Sequence, residues 1–99
     1  MGTGPPRQPT ATARAFVVIG ATGGIGSATT RRLRESGADV AVAARDGGRV
    51  ASLAEEVGAL GGPADATRLE DVEHLLGEAK ASFGRLDGVV NCAGSFFLK

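Results

Sequence analysis

Short continuous apolar runs alternate along this chain with longer stretches in which apolar residues recur every three or four positions. Phe16-Val17-Val18-Ile19 is one run and Val40-Ala41-Val42-Ala43-Ala44 is another. Runs of this length suit strands buried on both faces, as in a parallel sheet. They predict strands at Ala15–Ile19 and Asp39–Ala44. A shorter strand is expected at residues 62–64, although Pro63 is a poor ladder residue. A fourth is expected at residues 86–91.

The helical rhythm fills the intervals. Residues 25–36 place Ile25, Ala28 and Leu33 inward and Arg31, Arg32, Arg34 and Glu35 toward solvent, with Gly37 as the stop. Residues 49–57 carry Val50, Leu53 and Val57 on one face. The clearest helix has Leu69, Val72, Leu75, Leu76, Ala79 and Phe83 in register. Thr67-Arg68-Leu69-Glu70 reads as its capping box and Gly84 as its end. Strand and helix alternate three times before a last strand, which implies right-handed crossovers and an α/β fold. Residues 1–13 are rich in Gly, Pro and Thr, have no apolar period, and read as a flexible tail.

The turn after the first strand holds Gly20, Gly23, Gly24 and Gly26. Without Cβ atoms, such a turn lets another molecule approach the backbone. The helix beyond it offers unpaired N–H groups at its positive end. Strand, glycine turn and helix together form a phosphate cradle and suggest dinucleotide binding. The spacing is G-x-x-x-G-x-G, overlapping G-x-x-G-x-x-G, and not the common G-x-G-x-x-G. The plainer alternative is a tight strand-to-helix turn.

Ninety-nine residues bound the chain to one small domain, and 42% hydrophobic content allows a core. Eleven basic and eleven acidic residues cancel, so no charge surplus points to nucleic acid or an anionic membrane. No apolar run is long enough to span a bilayer. The single cysteine, Cys92, has no intrachain disulfide partner and fits a reducing, cytoplasmic setting.

Four segments carry a family likeness. They are Gly20-x-x-x-Gly24-Ile25-Gly26, Ala43-Ala44-Arg45-Asp46, Ala64-Asp65-Ala66-Thr67, and Phe83-Gly84-Arg85-Leu86-Asp87-x-Val89-Val90-Asn91-Cys92-Ala93-Gly94. In order and separation they resemble the short-chain dehydrogenase/reductase family across residues 14–94. The likeness implies a partial Rossmann fold with strand order 3-2-1-4. It also implies an NAD or NADP cofactor at the carboxyl ends of the strands. By the same likeness, Gly20, Gly24, Ile25 and Gly26 hold the pyrophosphate, with Thr22 nearby. Asp65 accepts from the adenine amino group with Ala66 beside the ring, and Asn91, Ala93 and Gly94 line the adenosine side. Asp65 also has a plainer reading as a turn or capping residue. Cys92 stands where the family usually has Asn and reads as a small buried residue. The Gly-x-x-Gly-x-x-Gly spacing also resembles the extended branch that includes sugar-nucleotide epimerases, but Asn91-x-Ala93-Gly94 argues against it.

Cofactor choice turns on the end of the second strand. NAD-binding relatives place an acid there for the ribose hydroxyls. Here the position is Ala44, followed by Arg45, whose guanidinium suits a 2′-phosphate. NADP is therefore expected over NAD. Asp46 is the alternative: a register slip of two gives it the acidic role, and otherwise it caps the second helix.

The family's catalytic Ser and Tyr-x-x-x-Lys have no match. The chain contains no tyrosine, Lys99 is its last residue, and Ser95 comes too early. Ser82 and His74 read as helix-surface residues. The apolar ending Phe96-Phe97-Leu98 reads as a severed chain. The expectation is the N-terminal half, residues 14–99, of an NADP-dependent oxidoreductase moving hydride between nicotinamide and a carbonyl or alcohol. The 99 residues alone are expected to be inactive and marginally stable, with an open edge at the fourth strand. The likeness implies a homo-oligomer for the full-length protein. The alternatives are a non-catalytic nucleotide-binding module or a nonfunctional truncated product.

Overall fold

A computed structural model describes residues 13–92. The elements run β1 (Ala15–Ile19), α1 (Gly24–Glu35), β2 (Asp39–Ala44), α2 (Gly47–Val57), β3 (Leu60–Pro63), α3 (Leu69–Phe83) and β4 (Gly88–Asn91). The four strands form one parallel sheet in the order β3-β2-β1-β4. This is the expected topology.

Alternate strand residues feed two cores. Val18, Val40, Val42 and Ala44 pack with Val50, Leu53 and Ala54 of α2, and Leu33 of α1 packs against them. Val17, Ile19 and Ala41 face the other way, with Ala79 of α3 and the half-buried Val72, Leu75, Leu76 and Phe83. Every residue of β2 is buried, which explains its unbroken apolar run.

The strands and helices depart from the expected bounds for local reasons. α2 begins at Gly47 because the Asp46 carboxylate accepts from the Arg49 N–H at 3.1 Å, which makes Asp46 the cap. β3 begins earlier than expected, at Leu60, and pairs residue for residue with β2 from Ala41. Pro63 sits at its end, on the outer strand of the sheet, where a missing N–H costs least. β4 begins later than expected, at Gly88, where its ladder with Phe16 of β1 starts.

Three expectations are corrected. α1 buries Gly26 and Thr30, not Ile25 and Ala28; Ile25 is 77% exposed. The helix packs through a face of small residues, and Ile25 is rotated off it. Arg34 does not face solvent freely: its Nε donates to the Val57 carbonyl at 2.8 Å and its Nη1 to Ala38 at 2.9 Å. It ties α1 to the end of α2. The capping box is also absent. Arg68 occupies the N-cap without a side-chain bond, and Thr67 turns back to Asp65.

One close approach gave no sign in the sequence. A Cβ on Gly61 would lie 2.7 Å from the Ala54 Cβ and 3.0 Å from a Val42 methyl. Hydrogen is the only side chain that lets α2 lie this near β3.

The amino ends of β1 and β4 are joined by Asp87. Its N–H donates to the Ala15 carbonyl at 2.8 Å, and its Oδ2 accepts from the Ala15 N–H at 2.8 Å. Arg85 donates through Nε to Oδ2 at 2.9 Å and through Nη2 to Oδ1 at 2.7 Å. The Arg85 hydrogen bond, then the Ala15 N–H, hold the Asp87 carboxyl below its ordinary range, with Arg85 and Arg14 charges adding against desolvation. A carboxyl depressed in the fold stabilises it above the unfolded value of about 4, and this is lost as pH falls through the folded value. Thermal melts between about pH 3 and pH 7 should therefore show a smaller acid-induced fall in Tm for Asp87→Asn than for the unsubstituted chain. Parallel curves would show that the clamp carries none of the acid sensitivity.

Candidate functional site

Four carboxyl strand ends converge on a cavity of about 310 Å³. Ile19, Gly20, Thr22 and Gly23 come from the end of β1 and its loop, and Ala44, Arg45 and Asp46 follow β2. Ala64 and Ala66 follow β3, and Cys92 follows β4. A wider groove of about 500 Å³ lies between β3 and α3, floored by alanine and glycine and rimmed by Asp71, His74 and Glu78. It contains none of the glycine-loop residues.

Backbone bonds fix the walls. The N–H groups of Gly20 and Ala21 both donate to the Ala43 carbonyl, at 2.8 and 3.1 Å. Ala64 N–H donates to Ala44 and Cys92 N–H to Ile19, at 2.9 and 2.7 Å. Each exit loop is thus tied to the neighbouring strand. Gly20 turns with φ of 76°, the left-handed region that favours glycine.

The glycines of the loop then divide by role. A Cβ on Gly26 would lie 2.2 Å from the Gly20 carbonyl oxygen and 2.8 Å from the Ala21 Cα, so Gly26 serves the contact between α1 and β1. A Cβ on Gly24 would meet nothing within 4 Å. The fold itself places no demand on Gly24, and the space above it is open to another molecule.

The helix starts differ as well. Asp46 caps α2, and α3 carries Glu70 and Asp71 in its first turn. α1 has no side-chain cap bond and no acid in its first turn. Its leading N–H groups and positive dipole end therefore have no side-chain acceptor of the kind that caps α2.

Asp65 lies between the two cavity-lining alanines. Its Oδ1 accepts the Thr67 N–H at 2.9 Å and the Thr67 hydroxyl at 2.6 Å. Its N–H donates to Asp71 Oδ2 at 3.0 Å, and its carbonyl accepts from the Arg68 N–H at 2.9 Å. The Thr67 hydroxyl first, then its N–H, hold the Asp65 carboxyl below its ordinary range; the charges of Arg45 and Arg68 add to this, against desolvation.

Of the residues expected from sequence, Gly20, Thr22, Arg45 and Ala66 line the cavity directly. Gly24 and Ile25 open α1 beside it, and Asn91 ends β4 opposite Ile19. Gly26 is set behind the loop. Ala93 and Gly94 lie outside the described residues. The reading from sequence missed the wall contribution of Ile19 and the hold of Thr67 on Asp65. The signal for the second was the Asp-x-Thr spacing of an Asx turn. Among the described residues, no cluster of three His, Cys, Asp or Glu could hold a metal ion, and no helix is long and apolar enough to cross a membrane.

A parallel α/β sheet of order 3-2-1-4, with a glycine loop and an uncapped helix at its carboxyl edge, defines the first half of a Rossmann-type fold. A family model described as short chain dehydrogenase matches residues 14–98, and the chain belongs to that family. It is similar to L-fucose dehydrogenase of Oryctolagus cuniculus, with 46% identity over 85 residues, covering 83% of this chain and 29% of that protein. It is 41% identical over 81 residues to 3-hydroxyacyl-CoA dehydrogenase type-2 of Drosophila melanogaster, covering 80% of this chain and 32% of that protein. Among solved structures, an actinorhodin polyketide ketoreductase variant with NADPH superposes with a TM-score of 0.81 at 30% identity, over 89% of this chain and 36% of the other. A 3-ketoacyl-(acyl-carrier-protein) reductase from Brucella melitensis complexed with NADH gives a TM-score of 0.73 at 29% identity, over 77% of this chain and 32% of the other. The chain thus spans about a third of the length of these relatives.

Proposed function

We propose that this chain is the cofactor-binding half of an NADP-preferring short-chain oxidoreductase. The observation that carries the reading is the uncapped start of α1 beside open space at Gly24, with Arg45 on the same cavity. Backbone N–H groups of Gly24, Ile25 and the loop receive the pyrophosphate, with the Thr22 hydroxyl beside them. Arg45 binds the 2′-phosphate by charge-assisted bonds, where an acid would repel it. Asp65 accepts from the adenine amino group, Ala66 flanks the ring, and Asn91, Ala93 and Gly94 border the adenosine. The dinucleotide supplies hydride exchange with a carbonyl or alcohol when bound; these residues hold and orient it.

The experiment is a titration of the full chain with NADPH and NADH, followed by nicotinamide fluorescence. Hydrogen bonds to a charged group worth about 1.5–3 kcal/mol give NADPH roughly a ten- to hundredfold advantage. Equal affinities would remove the NADP preference, and no binding of either would remove the dinucleotide reading. A second reading, a nucleotide-binding module without turnover, would use the same uncapped start of α1 and the same cavity. A hydride-transfer assay run beside the titration separates the two.

A further inference from the structure

Asp65 is the one acidic group of the segment after β3 placed between cavity-lining residues, and its carboxylate is not left to rotate. Both Thr67 donors converge on a single oxygen, Oδ1, at 2.9 and 2.6 Å. Among the described residues, Oδ2 takes no hydrogen bond. Two arginines, Arg45 and Arg68, stand near enough for their charges to act on the same carboxylate. A carboxylate free to turn would swing toward either guanidinium. Neutral, directional bonds from a neighbour two residues away hold it without consuming Arg45.

We propose that Thr67 is a positioning residue for base recognition: by fixing Oδ1 of Asp65 with its hydroxyl and N–H, it keeps Oδ2 available to a purine 6-amino group. This rests on the dinucleotide reading given above. A carboxylate accepts from the 6-amino group of adenine but meets a carbonyl lone pair at the same position of hypoxanthine. A site built around such a bond rejects the base that lacks the donor. The orientation supplied by Thr67 is therefore read as base discrimination, which loop stability alone would not alter.

The test compares NADPH with its hypoxanthine analogue on the full chain, for the unsubstituted protein, Thr67→Val and Thr67→Ser. Valine keeps the shape and the N–H but removes the hydroxyl donor; serine restores the donor. The unsubstituted chain should prefer the adenine cofactor by about tenfold or more, Thr67→Val by about twofold, and Thr67→Ser by close to the original ratio. If Thr67→Val weakens both cofactors equally and keeps the ratio, Thr67 only stiffens the loop and the inference is overturned. If the unsubstituted chain binds both cofactors alike, the Asp65 assignment itself fails and the inference falls with it. Tm measured for each variant confirms that the ratios compare folded proteins.

Discussion

Gly26→Ala should lower the Tm of the full chain by about 15 °C or more, whereas Gly24→Ala should leave it unchanged or slightly raised. The two glycines stand two residues apart, and the likeness to dehydrogenases assigns both to the pyrophosphate. Their surroundings differ. A methyl at position 26 would sit 2.2 Å from a carbonyl oxygen that is itself fixed by the left-handed turn at Gly20. No side-chain rotation relieves a clash with backbone, so α1 must move off β1. Overpacking costs about 1–3 kcal/mol and occasionally more; a clash with fixed backbone belongs at the upper end, and each kcal/mol moves Tm by roughly 4–8 °C in a domain of this size. At position 24 the methyl points into open space, and alanine is the better helix residue. The cost there falls on the ligand. Loss of charge-assisted bonds worth about 1.5–3 kcal/mol should weaken NADPH and NADH alike, by about tenfold or more. Melting curves and titrations on the two variants check both halves. A stable Gly26→Ala chain would mean that α1 can slide on the sheet at little cost.

Arg45→Ala should weaken NADPH binding by roughly ten- to hundredfold and leave NADH nearly unchanged. Arg45 is exposed and lines the cavity directly after β2. Among the described residues its neighbour Asp46 is the only acid lining the same cavity, and its carboxylate already accepts from the Arg49 N–H. Asp46 is therefore held as a helix cap, leaving Arg45 as the charged group at the end of the strand. Isothermal titration with each cofactor gives the ratio. Equal losses for both would place Arg45 on the shared adenosine or pyrophosphate and remove it from cofactor selection.

β1 and β2 were legible because each is a short apolar run buried from both sides of the sheet. Val40-Ala41-Val42-Ala43-Ala44 admits little else. The place of the glycine loop was equally legible, since it follows β1 and opens α1. The strand order came from the likeness to the short-chain dehydrogenase/reductase family, and the half-exposed β3 was only partly placed. What the sequence hid were choices between partners that only packing makes. Ile25 falls at a helical spacing with Leu33, but the close contact at Gly26 and Thr30 sets the rotation of α1 and turns Ile25 outward. Thr67 and Glu70 have capping-box spacing, yet Asp65 outcompeted the helix for the Thr67 hydroxyl. Arg34 looked like one of a solvated run until the end of α2 came within reach of its guanidinium. In each case the pattern named the element, and a contact distant in sequence or a competing hydrogen bond decided its face or cap.

The pairing of β1 with both β2 and β4 has a consequence for how the chain is made. Ala15 and Asp87, which bond to each other at the base of the sheet, are 72 residues apart. β2 emerges soon after β1 and can pair with it early, while α1 closes over one side. The other edge of β1 waits until residues 88–91 have left the ribosome. At synthesis rates of about 5–20 residues per second, that is an interval of several seconds. During it, Val17 and Ile19 lack their β4 neighbours, and a ladder edge stands open to other strands. Contacts of such wide separation also slow refolding from denaturant relative to a helical chain of equal length. The central strand is thus made among the first and completed among the last.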